Sequence, residues 1–474
     1  MNETLFSNKL IQLLQTFSVT ERRKLLLFLD APYFFRKKTA LQLTQLAISH
    51  IEDGIKAGSA QAGKVMGMRV YSEKRLRHAV SETLTAVQDF LYFEEVRQQL
   101  PGYAEYCFLA YRRRALDAQM HDVAVLLRKQ LENPDVMEPA QELRAARANE
   151  LLQAMADQSH KSFTKYQSQT RSNRPDQYDF FYVLQKLRQI AEAINERAVY
   201  QSDRLIFMES EIWQLTQQNT FQEHALIRVY TKLIHALQSR HDTHFEAFVS
   251  EFSKHRNLSA EIAAELHTYG TNFCIAKINA GEQAYHIRLF QWYAEGLKQG
   301  VLLQENRLDP RNFKNIVAIA LRCGKLQWVE YFISTYKKYL PAIDRENAVN
   351  YNWAQYHFFQ KDYNKSLRAL QSVALNDTFY GLDARTLTLK CFYELDEKEA
   401  FLNSYYSFRQ FVNRKKLVSV NHRRNYLNLL RFAKALFNLR PGDNARLAKI
   451  KKDVAAAAQI ADKRWILEKL SQFQ

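Results

Sequence analysis

The stretch Trp353-Ala354-Gln355-Tyr356-His357-Phe358-Phe359-Gln360-Lys361-Asp362-Tyr363-Asn364-Lys365-Ser366 decides the fold. It reads as the end of one helix, a polar turn at Lys361-Asp362, and the start of a second helix whose apolar face continues through Leu370 and Val373. The pattern returns 34 residues later, where Leu387 answers Trp353, Glu397 answers Tyr363 and Ala400 answers Ser366. Upstream, Gly324-Lys325-Leu326 with Val329, Ile333, Tyr336 and Pro341 supplies the second half of such a unit. Leu326 and Tyr363 lie 37 residues apart, so one connection is three residues longer. Small side chains at Ala354, Ser366 and Ala400 are expected where two antiparallel helices approach closely. Bulky ones at Trp353, Tyr363 and Leu370 are expected to fill the layer between successive pairs.

Outside this stretch the chain carries the same signals. Ser18-x-x-Glu21 forms a capping box ahead of an apolar run to Leu29, stopped by Pro32. Leu76, Val80, Leu84, Val87 and Leu91 recur at helical steps before Pro101-Gly102, and Phe181, Leu184, Leu187, Ala191 and Ile194 do so after Arg171–Asp176. Twelve Gly and eight Pro in 474 residues are too few for a protein of strands and tight turns. Hydrophobic residues at 47% and charged residues at 25% exclude wholesale disorder. The expected fold is all-α, organised as an N-terminal helical domain (1–100), a helical-hairpin region (101–304), regular repeats (305–412) and basic C-terminal helices (413–474).

Residues 310–412 resemble the tetratricopeptide repeat in period and in the placing of small and bulky residues. A weaker unit precedes them, with Phe273, Ala276, Gly281, Phe290 and Tyr293. The whole chain also resembles a group of large helical proteins from Bacteroidota, which adds no function. The repeat resemblance implies a solenoid in which the first helix of each pair lines a concave groove that takes up a peptide segment of a protein partner. By alignment the groove-facing residues are Lys314, Asn315, Arg322, Tyr351, Asn352, Gln355, Phe359, Arg385 and Tyr393. Lys314 and Asn352 match the family's clamp for a C-terminal carboxylate, whereas Ala318, Leu382 and Thr386 depart from it, so that ligand class is rejected.

Charge is unevenly spread. The formal net charge is +17, and residues 401–474 hold 16 Lys+Arg against 4 Asp+Glu. Projected as a helix, residues 421–438 place Tyr426, Leu429, Leu430, Phe432, Ala433, Leu436 and Phe437 on one face, with a basic sector beside it. That apolar face is expected to pack on the last repeat. The basic patch comprises Arg414, Lys415, Lys416, Arg423, Arg424, Arg431, Lys434, Lys449, Lys451 and Lys452. Clustered charge of one sign favours a polyanion, so a nucleic-acid-binding protein is the alternative reading.

Several motifs of catalysis are approached and missed. Gly58-Ser59-Ala60-Gln61-Ala62-Gly63-Lys64-Val65 spells a phosphate-binding loop until Val65 stands where Ser or Thr should hold magnesium, and it reads as an inter-helix loop. His235, His241, His244 and His255 cluster in sequence without further ligands at a matching interval, and read as surface histidines. A hydrolase using His241 and His244 is a third reading. Cys107, Cys274, Cys323 and Cys391 lie far apart with no Cys-x-x-Cys pair, implying four reduced thiols. No basic leader and no membrane-length apolar run is seen, so a cytoplasmic protein is expected. The leading expectation is a non-enzymatic scaffold or adaptor with no cofactor and no metal, assisted electrostatically by its C-terminus.

Overall fold

The computed structural model describes residues 8–36, 38–53, 59–67, 72–98, 100–132, 136–158, 176–200, 204–374, 380–414, 420–440, 442–457 and 459–473. Among them the regular elements are helical, and β pairing is confined to two isolated bridges, Met137 with Leu258 and Gln304 with Arg307. The protein is all-α. Two compact units divide it: residues 1–135 with 139–181, and residues 136–138 with 182–474.

The first unit holds α1 (Asn8–Gln15), α2 (Val19–Leu29), α3 (Thr39–Asp53), α4 (Ser59–Val65), α5 (Glu73–Gln98), α6 (Leu100–Arg112), α7 (Asp117–Glu132), α8 (Pro139–Gln158) and the start of α9 (Gln177–Tyr200). The Ser18 hydroxyl accepts from Glu21 N at 3.2 Å, and the Glu21 carboxylate accepts from Ser18 N at 2.7 Å. This satisfies two backbone donors that a helix start leaves open. Leu25 and Leu29 of α2 and Leu76, Val80 and Val87 of α5 enter one core with Leu10, Leu14 and Leu43. One expectation is corrected here. Ser59–Val65 is a helix rather than a loop, because its alanines favour helix and Ala62 is fully buried in that core; Gly54 and Gly58 lie outside the described residues. As expected, α5 ends just ahead of Pro101-Gly102, at Gln98, and these two residues sit in the first turn of α6, where a missing N–H costs nothing.

In the second unit, α10 (Glu209–Thr216) and α11 (Asn219–Gln222) lead into sequential pairs. These are α12 (Ala225–Ser239) with α13 (Asp242–Ser253), α14 (Ala260–Asn279) with α15 (Tyr285–Lys298), α16 (Pro310–Arg322) with α17 (Leu326–Tyr336), α18 (Ala342–Phe359) with α19 (Tyr363–Gln371), and α20 (Tyr380–Glu394) with α21 (Lys398–Arg414). First members also stack on one another, α12 on α14, α16 on α18 and α18 on α20. The α18–α19 crossing is tight because Ala354 and Ser366 are both fully buried. There the Ser366 hydroxyl donates to Ala354 O at 2.9 Å. Cys391 of α20 donates its S–H to the same hydroxyl at 3.3 Å, and burial pushes its thiol up to about 11.

The α14–α15 crossing is locked by rings. His267 stacks on Trp292 at 4.9 Å, its Nε2 donates to Trp292 O at 3.1 Å, and Trp292 Nε1 donates to His267 O at 3.0 Å. A Cβ on Gly270 would stand 2.6 Å from Trp292 Cζ2, and one on Gly296 2.4 Å from His267 Nε2, so both positions need glycine. At the C-terminal end α21, α22 (Val420–Phe437), α23 (Asn444–Ala456) and α24 (Lys463–Ser471) share a core. Leu429, Leu430, Phe432, Ala433 and Leu436 point into it, so the apolar face of α22 packs within the protein as expected.

Candidate functional site

An open cleft of about 560 Å³ lies in the second unit. Helical spacing builds its near wall. Tyr351, Gln355 and Phe359 follow one another at four-residue steps on α18, and Asp383, Thr386, Leu387, Lys390 and Glu394 do the same on α20. Arg322 ends α16 at one side. The far wall is Tyr426 of α22 together with Ala461, Asp462 and the first two turns of α24, including Arg464, Trp465, Glu468 and Lys469. The protein's own C-terminal helix thus narrows the trough without filling it.

Charges across the cleft are largely matched in pairs. Lys390 Nζ meets Asp462 Oδ2 at 2.7 Å and lies over the Phe358 ring at 4.6 Å. Glu394 accepts from Lys469 Nζ at 2.7 Å and from Trp465 Nε1 at 3.0 Å, which pins α24 to α20. Asp383 takes Lys314 Nζ at 2.6 Å, tying α20 to α16. Burial would raise the Asp462 carboxyl, but Lys390 and then Arg322 hold it below the usual carboxylate range. Burial pushes Tyr363 up to about 12, with Glu394 adding to it, and raises Tyr426, with Asp383 adding to it. Those two hydroxyls therefore stay protonated at neutral pH and serve as hydrogen-bond partners. On the near wall the Tyr351 hydroxyl accepts from Gln355 Nε2 at 2.6 Å, leaving Gln355 Oε1 without a partner.

Of the nine groove residues expected from the alignment, Arg322, Tyr351, Gln355 and Phe359 line this cleft. The other five do not. Asn352 is fully buried, donating Nδ2 to Ala348 O at 2.7 Å, because it faces the neighbouring helix one residue round from Tyr351. Lys314 is held by Asp383. Arg385 lies over the Phe411 ring at 4.4 Å and donates to Ser407 at 3.2 Å, turned toward α21. Tyr393 packs against Phe401, Phe437 and Trp465, and Asn315 is exposed outside the cleft. Tyr363, expected as filling between pairs, instead lines the cleft. Lys390, Glu394 and the α24 wall went unread. The first two lie one and two turns beyond Thr386, and the α24 wall required knowing that the chain folds back on itself.

The basic patch is more engaged than its composition suggests. Arg423 donates to Asn413 at 2.8 Å, Arg431 lies over Phe432 at 4.3 Å, and Lys434 donates to the Tyr406 hydroxyl at 3.1 Å. Arg424, Lys449 and Lys452 are exposed and Lys451 is half-buried. Arg414 ends α21, and Lys415 and Lys416 lie outside the described residues. Around α12 and α13 the His241 and His244 rings are 6.3 Å apart, and His244 Nδ1 is 2.7 Å from the Ser239 hydroxyl. Asp242 is taken by Lys277 and Tyr285, each at 2.8 Å, and His255 sits 3.4 Å from Glu251. Among the described residues no group of three His, Cys, Asp or Glu is placed to hold a metal ion. None of the described helices is long and apolar enough to cross a membrane. Compared with known protein families, curated proteins and solved structures, the chain matches none.

Proposed function

We propose that this chain is a non-enzymatic helical-repeat adaptor, related to the tetratricopeptide superfamily, that holds a segment of a protein partner in the cleft between α18, α20 and α24. One observation carries the reading: Arg322, Tyr351, Gln355 and Phe359, drawn from two first helices of successive pairs, converge on one open recess. Its volume lies in the range that accommodates a ligand of several residues. Four cysteines without disulfides support a reducing compartment and hence a cytoplasmic role. A photo-crosslinking amino acid at Phe359, compared with one at exposed Tyr331, tests the adaptor role. A discrete crosslinked partner from position 359 alone is expected, and equal labelling from both positions ends the reading.

A second reading keeps the C-terminal helices as a polyanion surface, because Arg446, Lys449 and Lys452 are exposed at three-residue steps along α23. Three phosphate contacts would give a log–log salt slope of about −3 on duplex DNA. A gel-shift titration with no salt-dependent binding removes it.

A further inference from the structure

We infer that the cleft takes an acidic peptide segment with a bulky apolar residue, which rests on the adaptor reading given above. The inference comes from which charges on the walls are already spoken for. Asp383, Glu394 and Asp462 each have a lysine within 2.7 Å, so three of the four lining carboxylates are neutralised from inside. Glu468 is the fourth. The lining cations divide differently. Lys390 and Lys469 are paired, whereas Arg322, Lys361 and Arg464 are exposed and make no direct ion pair among the described residues, Arg322 acting only at longer range on Asp462, which Lys390 already holds. After internal pairing three cations face the cleft against one anion, and the first turn of α24 adds the positive end of a helix dipole.

Asp462 marks the kind of group this wall receives. It stands at the mouth of α24 in the left-handed region at φ 48°, and makes no capping bond to its own helix. Its carboxylate reaches across to Lys390 and lies in the field of Arg322. An incoming carboxylate meets the same chemistry at Arg322, Lys361 and Arg464. Arginine offers it a bidentate fork. The apolar anchor follows from Phe359, 48% exposed at the cleft edge beside Phe358 and Leu387.

A peptide is favoured over a nucleic acid by the acids that remain on the wall. An extended chain spaces alternate side chains about 6.6 Å apart, so its carboxylates can settle on the arginines and bypass Glu468. A phosphodiester strand repeats its charge along every unit and has less freedom to avoid that carboxylate.

The test is a selection from an unbiased random 12-residue peptide library on the immobilised full chain, with a random single-stranded oligonucleotide pool run in parallel. The enriched peptides are expected to carry excess Asp and Glu with one bulky apolar residue. Their affinity should fall at least tenfold, and more steeply at low salt, in the double variant Arg322→Glu, Arg464→Glu. Both positions are exposed, and circular dichroism checks that the variant stays folded. Neutral or basic winners, winners that bind the double variant equally, or enrichment of oligonucleotides alone overturn the acidic-peptide inference. If basic or neutral winners are lost on Thr386→Trp, which fills the cleft, the adaptor reading survives without it. If no peptide is enriched over the Thr386→Trp variant, both fall.

Discussion

Two places in the second unit are packed to opposite ends, one a crossing within a helix pair and the other a meeting of two successive first helices with α24. Where α13 meets α14 and α15 the space is filled with rings: His267 on Trp292, Phe245 stacked on Phe273 at 4.2 Å, and Phe248 and Phe252 within 6.3 Å of the Trp292 ring. Between α18, α20 and α24 the rings of Tyr351, Tyr363, Tyr426 and Trp465 are interleaved with Gln355, Asp383, Thr386, Lys390 and Glu394, and a recess stays open. Residue type differs between the two, because rings packed on rings gain by excluding water whereas paired charges interleaved with rings keep part of their hydration. The first crossing is closed by its rings, and the second leaves a recess open.

The largest effect should come from emptying the closed crossing. Trp292→Ala removes a buried ring and its Nε1 hydrogen bond to His267 O, leaving the bond that the Trp292 backbone carbonyl accepts, and should cost about 4 kcal/mol in chemical denaturation. The next effect is a pH dependence carried by His267. Burial pulls its imidazole down to about 4, against an upward pull from the hydrogen bond to Trp292 O. The unfolded chain takes up this proton near pH 6.5, while the folded chain resists until about pH 4. Stability from this group is therefore complete above pH 6.5 and is lost as pH falls through that window, by about 3 kcal/mol in all. In His267→Gln the difference between denaturation midpoints at pH 7 and pH 4.5 should shrink by a corresponding part. An unchanged difference would mean that His267 is charged in the folded state.

Overfilling the same crossing should be milder. Gly296→Ala forces a Cβ onto His267 Nε2, and Gly270→Ala forces one onto Trp292, each expected to cost about 2 kcal/mol after the gain in helix propensity. Thermal or urea unfolding of each variant measures it. A stabilised Gly296→Ala protein would show that the crossing has slack.

The contrast also explains what could be read from the sequence. Ala354 and Ser366 were legible because a close helix crossing admits only small side chains, and a 34-residue recurrence repeats that demand. The capping box at Ser18 was legible because both its bonds are local. Tyr351, Gln355 and Phe359 share one helix face, so their meeting at one recess is legible from spacing. Asn352 and Arg385 lie outside the recess because a neighbour at one residue's rotation turns a side chain into the core or toward α21. The partners Asp462 and Trp465 were invisible, since their contacts with Lys390 and Glu394 span more than 70 residues and no periodicity encodes them.

The smallest expected effect on stability is also the sharpest test of the open crossing. Phe359 ends α18 with nearly half of its surface exposed, so Phe359→Ala gives up only about half of a ring's burial and should cost about 1 kcal/mol. If the cleft binds as proposed, the same substitution should weaken the captured peptide, because an exposed ring at the edge of a recess gains its burial only when a ligand covers it. The two readouts move independently for a binding surface and together for a core. Should Phe359→Ala destabilise the protein as Trp292→Ala does, the recess belongs to the packed interior, and the contrast between the two crossings disappears.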